Sequence, residues 1–167
     1  MKPKILDTNV IINASGNKSP QTKEMCIKTC LELLFQFMAG YSGLKIVIDT
    51  GSHGSDILEE YQKQFKYYEG TYGAIFIQWL LNNIMNDQYV IQIPIARIDE
   101  NEYEEFPKDR DLKGFDPSDR KFIAVAVAYY QYEDQIVPIV QSAEMEKWKE
   151  FVSAFAEHNV EIEFICD

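Results

Sequence analysis

The 167-residue sequence contains no apolar run approaching the roughly 20 residues that a membrane-spanning helix needs, so no membrane segment is expected. Its first residues have neither the apolar centre nor the small-residue cleavage site of a signal peptide, and a soluble, cytoplasmic protein is the expectation. Cysteine is scarce, with only Cys26, Cys30 and Cys166. An odd number without metal-ligand spacing argues against a disulfide scaffold and for small core hydrophobes in a reducing compartment. Positive charge is also short: 16 Lys and Arg against 27 Asp and Glu leave a formal charge of -11. That excess opposes nonspecific attraction to a polyanion, so any nucleic-acid partner has to rest on local chemistry. Repeats, low-complexity tracts and linkers are lacking, which leaves one domain over residues 1–167.

What is present is a chain that is 46% apolar, enough for a sizeable core, organised as short apolar runs between amphipathic stretches. Strands are expected at Ile5–Leu6, Lys45–Asp49, Tyr89–Ile93, Ile136–Val140 and Val160–Ile165. Helices are expected from Gln21, over Asp56–Tyr68, over Thr71–Asn86, from Asp116 through Ala128, and from the end of the fourth strand to about Glu157. The Thr71–Asn86 helix is apolar nearly all round and should be the most buried. This alternation predicts an α/β sandwich of three layers, α/β/α, around a mainly parallel sheet of about five strands.

Carboxylates stand where such a fold binds ligands. Ile5-Leu6-Asp7-Thr8-Asn9 ends a strand on an acid, at the carboxyl edge of the sheet, with Thr8 and Asn9 as hydrogen-bond neighbours. A buried carboxylate there needs a partner or a cation. Lys45–Asp49 repeats the pattern, although an acid in that place also caps turns. In the helix opening at Asp56, a capping box of Asp56 and Glu59 accounts for Glu59, while Glu60 borders the apolar face. Asp116, Pro117 and Asp119 mark a helix start, where capping and metal binding are both open to the two acids. Glu144 and Glu146 follow the fourth strand and either face the same region or favour the first turn of the next helix.

The run Asp99–Glu105 reads as a solvated face, or as a handle for a basic partner. Lys108, Arg110 and Lys113 just after it, with Arg120 and Lys121, offer phosphate contacts. His53 reads as an exposed loop residue and His158 as a helix C-terminal cap. Asp7, Glu60, Asp116, Asp119 and one of Glu144 or Glu146 together suit a hard cation such as Mg²⁺ or Mn²⁺, which takes oxygen ligands.

In this order, Ile5-Leu6-Asp7-Thr8-Asn9-Val10, Ile57-Leu58-Glu59-Glu60-Tyr61 and Asp116-Pro117-Ser118-Asp119-Arg120-Lys121-Phe122-Ile123-Ala124 resemble a PIN domain. The resemblance implies a small α/β protein with a central parallel sheet and a Mg²⁺- or Mn²⁺-dependent ribonuclease activity, as in the toxins of toxin-antitoxin pairs. It implies Asp7 as first metal ligand, Asn9 as support, Glu60 as the helical acid and Asp119, with Asp116, as the later one. After the fourth strand the family has Thr or Ser, a polar residue and Asp, whereas this chain has Gln141-Ser142-Ala143-Glu144-Met145-Glu146.

The expected function is therefore endoribonuclease, with catalytic Asp7, Glu60 and Asp119 and with RNA, or DNA as an alternative, as substrate. An antitoxin or other protein partner and a homo-oligomer are compatible with it. The alternative is a catalytically weakened, PIN-like nucleic-acid-binding or regulatory protein. A phosphotransferase using Asp7 as nucleophile fits worse, because Asn9 stands where a second Asp would follow.

Overall fold

A computed structural model of the chain describes residues 3–16, 24–66, 69–142 and 146–166, with Glu146 described by its backbone alone. The architecture is mixed α/β. Strand β1 (Ile5–Leu6) pairs in parallel with β6 (Pro138–Gln141), in the register Ile5 to Ile139 and Leu6 to Val140. The far edge of β6 pairs in parallel with β7 (Glu161–Phe164), completing a three-stranded sheet. Strands β2 (Ile46–Thr50) and β3 (Val90–Pro94) form a second parallel pair. The two sets meet at one parallel bridge between Lys4 and Ile46, where Lys4 N donates to Lys45 O at 2.9 Å and Val47 N to Lys4 O at 2.8 Å. These strands are short, rich in Ile and Val, and covered on both faces, which is why Ile5, Leu6, Ile46, Val47, Ile48, Ile139 and Val140 are all fully buried.

The helices are α1 (Thr8–Ala14), α2 (Glu24–Met38), α3 (Asp56–Phe65), α4 (Tyr72–Asn83), α5 (Arg120–Glu133), α6 (Glu146–Lys149) and α7 (Val152–Ala156). Helix α5, and not the Thr71–Asn86 stretch, is the deeply buried one. Its small residues Ala124, Ala126 and Ala128 alternate with Phe122, Ile123 and Val125 and let it pack closely, whereas α4 leaves Tyr72 and Ile75 about half exposed. The expected long C-terminal helix is two short ones, α6 and α7. The acidic run is also more than a solvated face: Arg97–Asp99 (β4) and Glu102–Tyr103 (β5) pair antiparallel around Asn101, whose φ of 57° makes the turn. Tyr103 is buried there and Glu105 accepts from Ala96 N, so two members of the run are structural.

The cysteines depart from expectation. Cys26, at the start of α2, is disulfide-bonded to Cys166, which follows β7, while Cys30 is a buried free thiol one turn along α2. Sequence spacing carries no sign that the C-terminal residues return to α2, since that approach is set by the position of β7 at the sheet edge. Burial pushes the Cys30 thiol up to about 12. No helix among the described residues is long and apolar enough to cross a membrane.

Candidate functional site

Asp7 leaves the carboxyl end of β1 as the N-cap of α1 and accepts from Asn9 N at 2.9 Å. Its own N–H donates to Val140 O at 3.0 Å, which fixes the carboxylate against β6. Asp7 is 3% exposed. Desolvation first, and then the nearby charges of Asp119 and Glu60, push its pKa up from 3.8 to about 7, against the opposing pull of the Asn9 N–H and the Gln141 amide. The Gln141 side chain is fully buried and accepts from Ser142 N at 3.1 Å, while its Nε2 has no close hydrogen-bond partner among the described residues.

Asp119 closes the 3₁₀ turn Pro117–Asp119 and stands one residue before α5. Its carboxylate accepts from Trp148 Nε1 at 3.3 Å. Desolvation, with Asp116 and Glu60 beside it, raises its pKa to about 6, and Lys121 and Trp148 restrain the rise. Trp148 is held by Phe115, whose ring meets those of Trp148, Phe151 and Phe155 edge-on at 5.0 to 5.3 Å. Each such pair contributes about 0.5–1.5 kcal/mol beyond its buried area, so Asp119 leans on a rigid aromatic cluster.

Glu60 projects from α3 at the border of its apolar face, as its spacing predicts, and is partly buried. Thr8 Oγ1 donates to Glu60 Oε1, and the Lys121 ammonium pairs with Glu60 Oε2 while also donating to Ser118 O. Next along α3, Tyr61 is fully buried and donates to Leu6 O at 2.5 Å, tying the helix to the strand that carries Asp7.

Asp7, Glu60 and Asp119 thus share one electrostatic neighbourhood, with Thr8 and Lys121 inside it. Asp116 is exposed and caps the 3₁₀ turn, accepting from Ser118 N at 3.0 Å and Ser118 Oγ at 2.8 Å, which holds its pKa low. Asp49 is spent on α3, accepting from Ser55 Oγ and Asp56 N, both at 2.6 Å, and from Ile57 N at 3.0 Å. The N-cap of α3 is Ser55, not Asp56, which instead accepts from Tyr103 Oη at 2.8 Å. The C-cap of α7 is Glu157, not His158, which lies one residue beyond it and bonds Asp109 through its ring. Glu144 lies outside the described residues, as does the side chain of Glu146.

Three carboxylates against one ammonium leave two negative charges when all are ionised, a balance and an oxygen-only donor set that fit a divalent hard cation. The oxygens of Asp7, Glu60 and Asp119 are not mutually within 4.8 Å, since among the described residues only Cys26, Cys30 and Cys166 meet that spacing. An ion that keeps several waters, as Mg²⁺ does, suits such a spread set.

Beyond Asp119, a cavity of about 240 Å³ is lined by Lys108, Lys113 and Arg120 with Tyr103 and Phe106 among its walls. The Arg120 guanidinium lies over the Phe106 ring at 5.1 Å, and its Nε is buried without a hydrogen-bond partner among the described residues. Arg110 is exposed on the neighbouring 3₁₀ turn Arg110–Leu112, and Lys121 faces the carboxylates instead of this cavity.

The sequence pattern does not single out Gln141, Trp148 or the inward turn of Lys121. Lys121 stands two residues after Asp119, and that spacing on a helix start is the one signal for it. Comparison with protein families, curated proteins and solved structures finds no match to this chain.

Proposed function

We propose that the protein is a Mg²⁺- or Mn²⁺-dependent endoribonuclease of PIN type, with β3, β2, β1, β6 and β7 acting as one parallel sheet whose carboxyl edge carries the site. The observation that carries this reading is the gathering of Asp7, Glu60 and Asp119 at the end of β1 with Asp7 and Asp119 raised toward neutrality. Buried acids forced together in this way are stabilised by a cation. Asp7, Asp119 and Glu60 would hold the metal. Bound there, a divalent ion would orient an attacking water and stabilise the charged oxygens of a phosphodiester. Lys108, Lys113 and Arg120 would steady the flanking phosphates in spite of the acidic total.

A second reading is favoured by the Lys121–Glu60 pair. An internal ammonium in the place of part of the cation's charge suits a catalytically weakened PIN-like protein that binds nucleic acid or a protein partner without cutting.

Incubation of the purified protein with Mn²⁺ and a panel of structured and unstructured RNAs separates the two. Cleavage abolished by Asp7→Asn supports the nuclease. RNA binding that survives Asp7→Asn with no cleavage by either protein supports the weakened form.

A further inference from the structure

We propose that Cys26, Cys30 and Cys166 form, in the reduced protein, a three-thiolate site for one thiophilic d¹⁰ cation, Cu⁺ or Zn²⁺, separate from the carboxylates. Their Sγ atoms lie mutually within 4.8 Å, and Cys30 Sγ is 3.8 Å from Cys166 Sγ. Thiolates bound at about 2.3 Å to a common ion stand roughly 3.8–4.0 Å apart, so the Cys30 to Cys166 edge already has the bound spacing. Cys26 and Cys30 occupy successive turns of the buried face of α2, and Cys166 comes to them from beyond β7. Cys26 and Cys30 are 5% and 0% exposed, while Cys166 is only half-buried and gives an ion its way in.

The donor set decides the ligand class. Three sulfurs, with no carboxylate or imidazole joining them among the described residues, disfavour Mg²⁺, Ca²⁺ and Mn²⁺ and select a soft ion. Asn13 Nδ2 stands 3.9 Å from Cys26 Sγ while donating to Ser142 Oγ at 2.8 Å, an amide placed to support a thiolate from outside the ligand set.

The electron balance makes the site conditional. A dithiol reductant supplies two electrons and two protons to open the Cys26–Cys166 disulfide, and the incoming cation then displaces the thiol protons to solvent. A disulfide-forming oxidant such as diamide takes the two electrons back, restores the Cys26–Cys166 bond and leaves Cys30 alone, which cannot retain the ion.

The test is a titration of the reduced, oxygen-free protein with Cd²⁺, a spectroscopic stand-in for Zn²⁺, followed by competition of Zn²⁺ and Cu⁺ against chromophoric chelators, all in excess Mg²⁺. The thiolate-to-cadmium absorption band reports sulfur ligation only, so ions held by Asp7 and its neighbours do not register. One ion per chain is expected, with affinity falling more than about a hundredfold in Cys30→Ser, beyond the cost of losing an outer contact. Cys30→Ser keeps the disulfide and its oxidised form is the folding control. Diamide should release the ion from the wild type. Failure of the reduced wild type to develop the band, or equal affinity in Cys30→Ser, overturns the site.

Discussion

The ammonium of Lys121 pairs with the carboxylate of Glu60, so a helix that begins one residue after Asp119 brings a cation back among the acids. That cation restrains the rise in the Asp119 pKa and competes with any metal for Glu60. Lys121→Met keeps most of the stem and removes the charge. Mn²⁺ affinity, read by calorimetry, should tighten about tenfold, the effect of roughly 1.4 kcal/mol of relieved repulsion. Stability to urea without metal should fall by about 2 kcal/mol. This is less than the roughly 3–5 kcal/mol of a fully buried pair, because the Glu60 side chain is 25% exposed.

Asp7 makes stability pH-dependent. Its pKa is near 3.8 unfolded and about 7 folded, so the folded chain binds the extra proton between those values. The stabilisation is full below pH 4 and is lost as pH rises through 7. Asp7→Asn removes the titration while keeping an acceptor for Asn9 N. Its stability relative to wild type should improve by about 2–3 kcal/mol between pH 5 and pH 8, measured by urea unfolding without metal. Added Mg²⁺ should reverse the order at pH 8 by stabilising only the wild type.

Trp148→Phe should act on Asp119 at a distance. The ring still fills much of its place against Phe115, costing about 1–2 kcal/mol, but the Nε1 donor is lost. With that support gone, the Asp119 pKa moves further above about 6, and the pH for half-maximal Mn²⁺ binding should move up with it.

Arg120→Gln removes the guanidinium over Phe106. Single-stranded RNA binding in a Mg²⁺-free buffer should weaken, and its salt dependence should flatten by about one unit of slope, the mark of a lost phosphate contact. An unchanged slope would take the cavity out of the binding surface.

Gly73 lies where α4 crosses α1. A Cβ on it would sit 2.2 Å from Ser15 Oγ and 2.3 Å from a Phe65 ring carbon, and its N–H donates to that same Ser15 Oγ at 2.9 Å. Gly73→Ala should lower stability by about 1–3 kcal/mol, read as a drop in Tm. Adding Ser15→Ala should recover only part, since Phe65 still blocks the position.

The strands and most helices were legible because their signals are local. Ile46–Ile48 is a β-branched run, and Cys26, Cys30, Leu34 and Phe37 recur at helical spacing on the face that is in fact buried. That Asp7, Glu60 and Asp119 come near one another is legible because each stands at an element boundary or on the edge of an apolar face. What the sequence could not convey depends on long-range approach: Trp148 meeting Asp119, Lys121 turning to Glu60, and Cys166 reaching Cys26. The burial of α5 over α4 was also hidden, since both read as apolar and only the surrounding layers decide which is covered. The Arg97–Tyr103 hairpin is hidden because charge dominates its pattern, although Asn101 at the turn and Tyr103 after it carry a weak hairpin signal.

The pairing of β1 with β6 has a consequence for how the chain is made. Strand Ile5–Leu6 is made well before Ile139 and Val140, the residues that hold it, and Asp119 is made before the Trp148 that steadies it. Until then Asp7 has no sheet to stand on, and Asp119 lacks its indole. A growing chain therefore carries its acids apart, and they assemble only once Pro138–Gln141 and Trp148 have been made, through contacts that are slow to form because they span so much sequence.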